Sequence, residues 1–202
     1  MAITTYAELK ASVAGWLNRP DLTAIIPDLI ALAEADINRR LRCRQMLKRV
    51  STTLDAAREV LPGDFLEAQQ LVLPGPPPRL VEQVGPSQIP DLRARHPAGT
   101  ALYYALLGDA LEFVPEAPAR GTLELTYYAR LAALSDAAPS NAVLQAHPDL
   151  YLYATLAQSA PYLRDDARLT IWAGLYAATL DAIHALDRRA QWSGNSLTIR
   201  SS

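Results

Sequence analysis

Few residues in this chain have the types and spacing that chemistry needs, and each of them also has a plain structural role open to it. The sequence has three histidines. His96 precedes Pro97 and His147 precedes Pro148, positions that loop or helix-entry geometry explains, because a proline restricts the residue before it. His184 and Asp187 fall at helical contact spacing, but they supply two ligands with no third nearby in sequence, short of the three protein ligands a catalytic zinc site uses. The single cysteine, Cys43, excludes an internal disulfide or a cysteine-rich zinc site and reads as a bystander thiol. GPSQI at 85–89 starts like a nucleophile elbow but lacks the closing glycine. No phosphate loop or dinucleotide fingerprint is present, and PGPPP at 74–78 puts rigid prolines where such loops use glycine. The carboxylate pairs Glu34/Asp36 and Asp165/Asp166 read as a solvated face and a helix start. No catalytic, cofactor-binding or metal-ligating residue is assigned, and the chain does not read as an enzyme.

Charge is more informative. The net charge is −2, yet RRLRCRQMLKR at 39–49 holds six basic side chains and no acid. Read as the end of a helix, it places Arg40 and Arg44 on one face and Arg39 and Arg42 on another, so it is no single groove-reading stripe. Three accounts stand: cations stabilising a helix C-terminus, contact with an acidic patch on a partner, and contact with DNA phosphate. No aromatic side chain in the run can stack on bases, which counts against specific nucleic-acid recognition. The tyrosines come in close pairs, Tyr103-Tyr104, Tyr127-Tyr128 and Tyr151/Tyr153. Adjacent strand residues point to opposite faces, so one tyrosine of each strand pair lies outside the core or under a partner.

The elements that position these residues follow from periodicity. Thr5 and Glu8 have capping-box spacing ahead of an apolar stripe Tyr6, Leu9, Val13, Trp16 and Leu17, and Pro20 ends that helix. Asp21 is expected to cap a short turn, and Pro27 opens a second helix with the stripe Ile26, Ile30, Ala33, Ile37 and Leu41. From about residue 46 short alternating runs separated by Pro and Gly predict strands: 50–54, REVLP, LPGDFLEAQQLVL, the hairpin YYALLGDALEFV turning at Gly108-Asp109, and LELTYYARL with Leu123, Leu125, Tyr127, Ala129 and Leu131 facing one way. GPSQIPDLRARHP has room for one short helical turn. After SDAAPSN helical periodicity returns, from Pro148 to about Leu163. It returns again in a last helix of roughly 25 residues, with Leu169, Trp172, Tyr176, Leu180, Ile183 and Asp187 near one line.

The predicted fold class is therefore α+β: a bundle of about four main helices with an inserted, mainly antiparallel β-domain and an extended C-terminal arm. The divisions are 1–47, 48–140, 141–192 and 193–202. Half of the 202 residues are apolar, which suits one soluble globular unit or one unit with an insertion. No stretch approaches ~20 uninterrupted apolar residues and MAITTYAELK has no signal-peptide character, so synthesis and retention in the cytoplasm, away from membranes, are expected. DRRAQWSGNSLTIRSS continues past the last helix as either a frayed end or an extended segment that adds to another protein.

In this order of elements the chain resembles the head-to-tail adaptor proteins of tailed bacteriophages, also called head-tail connectors or gatekeepers. The resemblance rests on TTYAELKASVAGWLNRPDL…IPDLIALAEADINRRLRCRQM, on LPGDFLEAQQL, and on LTYYARLAALSD…HPDLYLYATLAQSAPYLRDDARLTIWAGLYAATLDAIHALDRRAQWSG. It spans essentially the whole chain, and residues 74–97 are its least characteristic part. It implies a structural virion protein made in the host cytoplasm: a ring, usually of twelve copies, beneath the portal protein at the capsid vertex. The other side of such a ring receives the tail or nozzle, and the ring helps retain packaged DNA. The β-domain commonly faces the tail and the C-terminal arm reaches the portal. Trp192, Leu197, Thr198, Ile199 and Arg200 become candidate portal-binding residues. Arg39, Arg40, Arg42 and Arg44 become candidate contacts for a partner or for non-specific DNA in the channel. The competing expectation is a helical binding or regulatory module that contacts nucleic acid through 39–49.

Overall fold

The capping signal at the N-terminus is used as the spacing predicts. In the computed structural model, which describes residues 3–54, 57–115, 121–163 and 167–192, Thr5 Oγ1 accepts from the Glu8 amide and the Glu8 carboxylate accepts from the Thr5 amide. This box starts α1 (Tyr6–Leu17), which ends on Asn18 in the left-handed region at φ 50°. A 3-10 segment, Pro20–Ile25, leads into α2 (Ile26–Arg40). Asp21 does not cap that turn; it pairs with Arg19 instead.

The chain divides into two compact units, Met1–Met46 with Leu131–Ser202, and Leu47–Arg130. In the second unit β1 (Leu47–Leu54), β2 (Arg58–Val60), β3 (Phe65–Leu73), β4 (Arg79–Leu80), β5 (Glu82–Gln83), β6 (Tyr103–Leu107), β7 (Ala110–Val114) and β8 (Gly121–Ala129) form two four-stranded sheets. The orders are β1-β8-β3-β4 and β2-β7-β6-β5, antiparallel except for β5 beside β6. The β6–β7 hairpin turns at Gly108, whose φ of +63° is the conformation a tight turn demands and glycine supplies without strain. Alternation then sorts the side chains. Leu123, Leu125, Tyr127 and Ala129 of β8 face a common core with Leu71, Tyr104, Leu111 and Phe113. The opposite face of the β6–β7 hairpin, with Ala105 and Val114, packs under Ile89 of α3 (Ile89–Arg95), a longer helix than one turn. Leu131, expected to continue the β8 face, lies beyond the strand.

Asp64, in the LPGDFLEAQQL stretch, pins this unit. Its carboxylate accepts from Lys48 and from the Tyr127 hydroxyl (2.8 Å), and its carbonyl accepts from the Arg130 amide (2.6 Å). The Lys48 hydrogen bond leads in holding the Asp64 pKa below the ordinary range, while burial, then Asp64, pushes the Tyr127 hydroxyl up to about 12.

The first unit is helical. α4 (Ala142–Ala146), capped by the Asn141 side chain, precedes α5 (Pro148–Gln158), a 3-10 turn follows at Ala160–Tyr162, and α6 runs Arg168–Trp192. The sequence pattern missed α4, because five residues carry no full period. α5 packs against α1, α2 and α6, and is buried along most of its length. Residues 131–140, grouped with the insert by their linker composition, hydrogen-bond to the helices instead: the Leu131 amide to Asn38 Oδ1 and the Leu134 amide to Glu34 Oε1, both at 2.9 Å. The compact strand unit ends at Arg130.

Candidate partner-binding surfaces

The basic run does not stay on one helix. α2 stops at Arg40, Leu41 turns extended, and Arg44–Met46 form a 3-10 turn, so the expected 40/44 and 39/42 helical faces do not form. Physically, Leu41 and Cys43 alternate into the core, both fully buried, which draws the chain out of helical geometry and separates the arginines. Arg39 and Arg40 remain on α2, bracketing Asp36 at 3.0 and 3.1 Å, with side chains 68% and 59% exposed. The Arg42 guanidinium donates to the carbonyls of Asn38 and Leu41, closing the helix end. The Arg42 amide meets His184 Nε2 at 3.5 Å and the Arg44 amide donates to Asp187 Oδ1 at 2.9 Å. His184 and Asp187, the pair at helical contact spacing, thus each take a backbone N–H from the segment after α2.

Asp36 is nearly buried. Burial by itself raises its pKa, but the Tyr176 hydroxyl at 2.8 Å, the Arg39 hydrogen bond and the two arginine charges outweigh it, and the carboxylate is held below its usual range. Tyr176 is correspondingly raised, by burial first and by Asp36 second, and Arg40 lies over its ring at 6.0 Å. Two residues earlier on α2, Glu34 goes the other way. Burial raises it, and the Leu134 amide and Tyr151 hydroxyl only partly offset that. The expectation of a solvated Glu34/Asp36 face is therefore corrected: both carboxylates are structural hydrogen-bond acceptors.

Arg44 is exposed at the rim of a recess of about 250 Å³ lined also by His147, Ile183, Leu186, Asp187 and Ala190. Burial lowers the His147 pKa; Arg44 adds to this and Asp149 opposes it. Cys43 is buried and its thiol pushed up, chiefly by burial, as a bystander thiol should be.

The long α6 presents two apolar faces. Trp172, Tyr176, Leu180, Ile183 and Asp187 are buried as the predicted line, with Leu169 half-buried at its start. The face about a third of a turn away carries Ile171, Leu175 and Leu186, all exposed, with exposed Ala178 and Ala182 between them. By length and composition alone, 168–190 is long and apolar enough to cross a membrane, at mean hydropathy 1.2 with 22% of the stretch buried. No uninterrupted apolar run marks this helix in the sequence, because Thr170, Gly174, Thr179 and Asp181 punctuate it.

The outward tyrosines go mostly to this chain's own surfaces. Tyr103 packs into the small cluster under α3, and Tyr153 meets Trp16 edge-on at 6.0 Å. Of the tail candidates, Trp192 ends α6 and Leu197, Thr198, Ile199 and Arg200 lie outside the described residues, as do Asp165 and Asp166. Among the described residues, no group of three or more His, Cys, Asp or Glu side chains could hold a metal ion.

In comparisons with known proteins, one family model, that of the SU10 adaptor protein, matches the chain over residues 4–200. No curated protein matches it.

Proposed function

Because the chain belongs to the SU10 adaptor protein family, a family of phage head-to-tail adaptors, we propose that it works as a ring of twelve copies beneath the portal protein at the capsid vertex. There it joins the portal to the tail or nozzle and helps retain packaged DNA. The observation that carries this reading is the match over residues 4–200, which runs through both compact units. The function is assembly, with no catalytic step. Copies made in the host cytoplasm dock weakly one at a time and hold because linked contacts around a ring give avidity that one surface lacks.

Within this reading residues 193–202, with Trp192 at their root, form the arm that reaches the portal, using Leu197, Thr198, Ile199 and Arg200 as an added extended segment. Arg39 and Arg40 point charge outward next to Asp36, and Arg44 does so at the recess rim. These, with Arg42 behind them, meet an acidic neighbour or the phosphates of channel DNA.

The test is reconstitution. Full-length protein mixed with the portal ring of its phage is expected to form a ring below it, and deletion of residues 194–202 to weaken that attachment without altering the far-UV circular dichroism. Reversal of Arg39 and Arg40 to Glu is expected to lower DNA retention or ring attachment. Failure of the intact chain to bind the portal, with or without the tail, overturns the reading. Steeply salt-dependent binding to free duplex DNA favours the nucleic-acid module instead.

A further inference from the structure

A rotational ring needs two different faces of each subunit to meet, since a face that pairs with itself closes a dimer and goes no further. The helical unit carries two such faces, and their shapes differ in a complementary way. On α2 the outward residues include Leu32, 54% exposed, with the small exposed side chains Ala31 and Ala35 beside it and the exposed, charged Asp28 and Arg39 one turn before and two turns after it. Leu32 is the apolar knob of this face. On α6 the outward row is Leu175, Ala178, Ala182 and Leu186, at steps of three, four and four that keep one helical face, with Leu186 58% exposed. Two bulky ends and a small middle make a saddle.

We propose that the α2 ridge of one copy seats in the α6 saddle of the next, Leu32 entering between Leu175 and Leu186 over Ala178 and Ala182. This rests on the adaptor reading above and adds which faces of the chain meet. Small residues let two helices approach closely, and a leucine set opposite an alanine gap packs more densely than leucine on leucine or gap on gap. The contact is therefore heterologous and favours a ring over a two-fold dimer. It is also small. From Leu175 to Leu186 the saddle is about 16 Å long, one helix wide, well below the roughly 800 Å² per partner of a stable pairwise interface. A single contact is weak and a closed ring is not, which suits a chain that assembles only on its docking platform. A second copy fits this face better than a lipid surface does. Exposed Asp181 lies beside the saddle at mid-helix, and the neighbouring face of α6 is already committed to the protein core.

The test is cross-linking of full-length protein assembled on the portal ring. L32C and A182C are made singly and together, with the buried Cys43 left in place. Mixed L32C and A182C chains are expected to give a disulfide-linked dimer on oxidation, either variant alone to give none, and the L32C/A182C double variant to give a ladder of higher multimers. Ala182→Glu is expected to abolish the ring while keeping the circular dichroism and melting temperature of the parent, since the site is exposed. Rings that assemble without the mixed cross-link, or self-linked L32C or A182C dimers, overturn this assignment and leave the adaptor reading standing. Flotation of the intact chain with phosphatidylcholine vesicles, lost in Ala182→Glu, assigns the face to lipid and overturns it as well. Failure of the parent chain to assemble on the portal overturns both.

Discussion

The two compact units solve the burial problem differently. The strand unit packs its sheets on a core of aliphatic and aromatic side chains, and none of the buried polar or charged side chains among the described residues lies in it. The helical unit buries Glu34, Asp36 and Asp187 and uses them to fix segments in place, while its longest helix leaves an apolar face in the open. The contrast separates two kinds of specification. Strand alternation needs only hydrophobic side chains facing inward. The helical unit has irregular segments, 41–46 and 131–140, whose backbone amides must find partners, and the buried carboxylates of Asp187 and Glu34, with the Asn38 side-chain oxygen, supply them.

Perturbing each kind tests the difference. The largest effect is expected from Phe113→Ala, which empties a fully buried site in the strand core and should cost about 3–5 kcal/mol in denaturant unfolding. Glu34→Ala should come next, at about 1–3 kcal/mol, because it strands the Leu134 amide and takes the acceptor from the Tyr151 hydroxyl, which keeps its bond from Asn141. Glu34→Gln, which keeps an acceptor, should recover much of that loss. If Glu34→Ala is silent, the carboxylate does not organise 131–140. Asp64→Ala should cost about 1 kcal/mol, since the group is partly solvated and its loss leaves the Tyr127 hydroxyl unpaired.

The smallest and most diagnostic effect is in pH dependence. Asp36 has a lowered pKa, so its contribution is present above the unfolded carboxylate value near ~3.9 and is lost as pH falls through the depressed folded value. Glu34 has a raised pKa, so the folded state binds the extra proton and stability falls as pH rises from the unfolded value near ~4.3 through the folded one. Urea midpoints against pH should therefore flatten on the acid side in Asp36→Asn and in the mildly acidic range in Glu34→Gln. Identical profiles for the two variants contradict the opposite assignments.

Much of the fold was legible because its signals are local. The Thr5/Glu8 box, the Gly108-Asp109 turn, the alternation of 123–129 and the last helix each lie within a few residues of chain, and each forms where the pattern predicts. The end of α2 was not legible, since burial of Leu41 and Cys43 overrides a helical continuation that the sequence allows. The roles of Glu34 and Asp36 were hidden for a related reason. Their partners Leu134, Tyr151 and Tyr176 lie about a hundred residues or more away. A carboxylate pair on an amphipathic helix gives no sign of them. The outward face of α6 was visible only as Ala-rich composition, and its exposure needed the fold.

The central claim is that this chain forms a ring joining a portal to a tail, and electron microscopy of the full-length protein mixed with its portal tests it most directly. The account predicts a ring of twelve copies built from this chain below the portal; a portal left bare at saturating protein contradicts it.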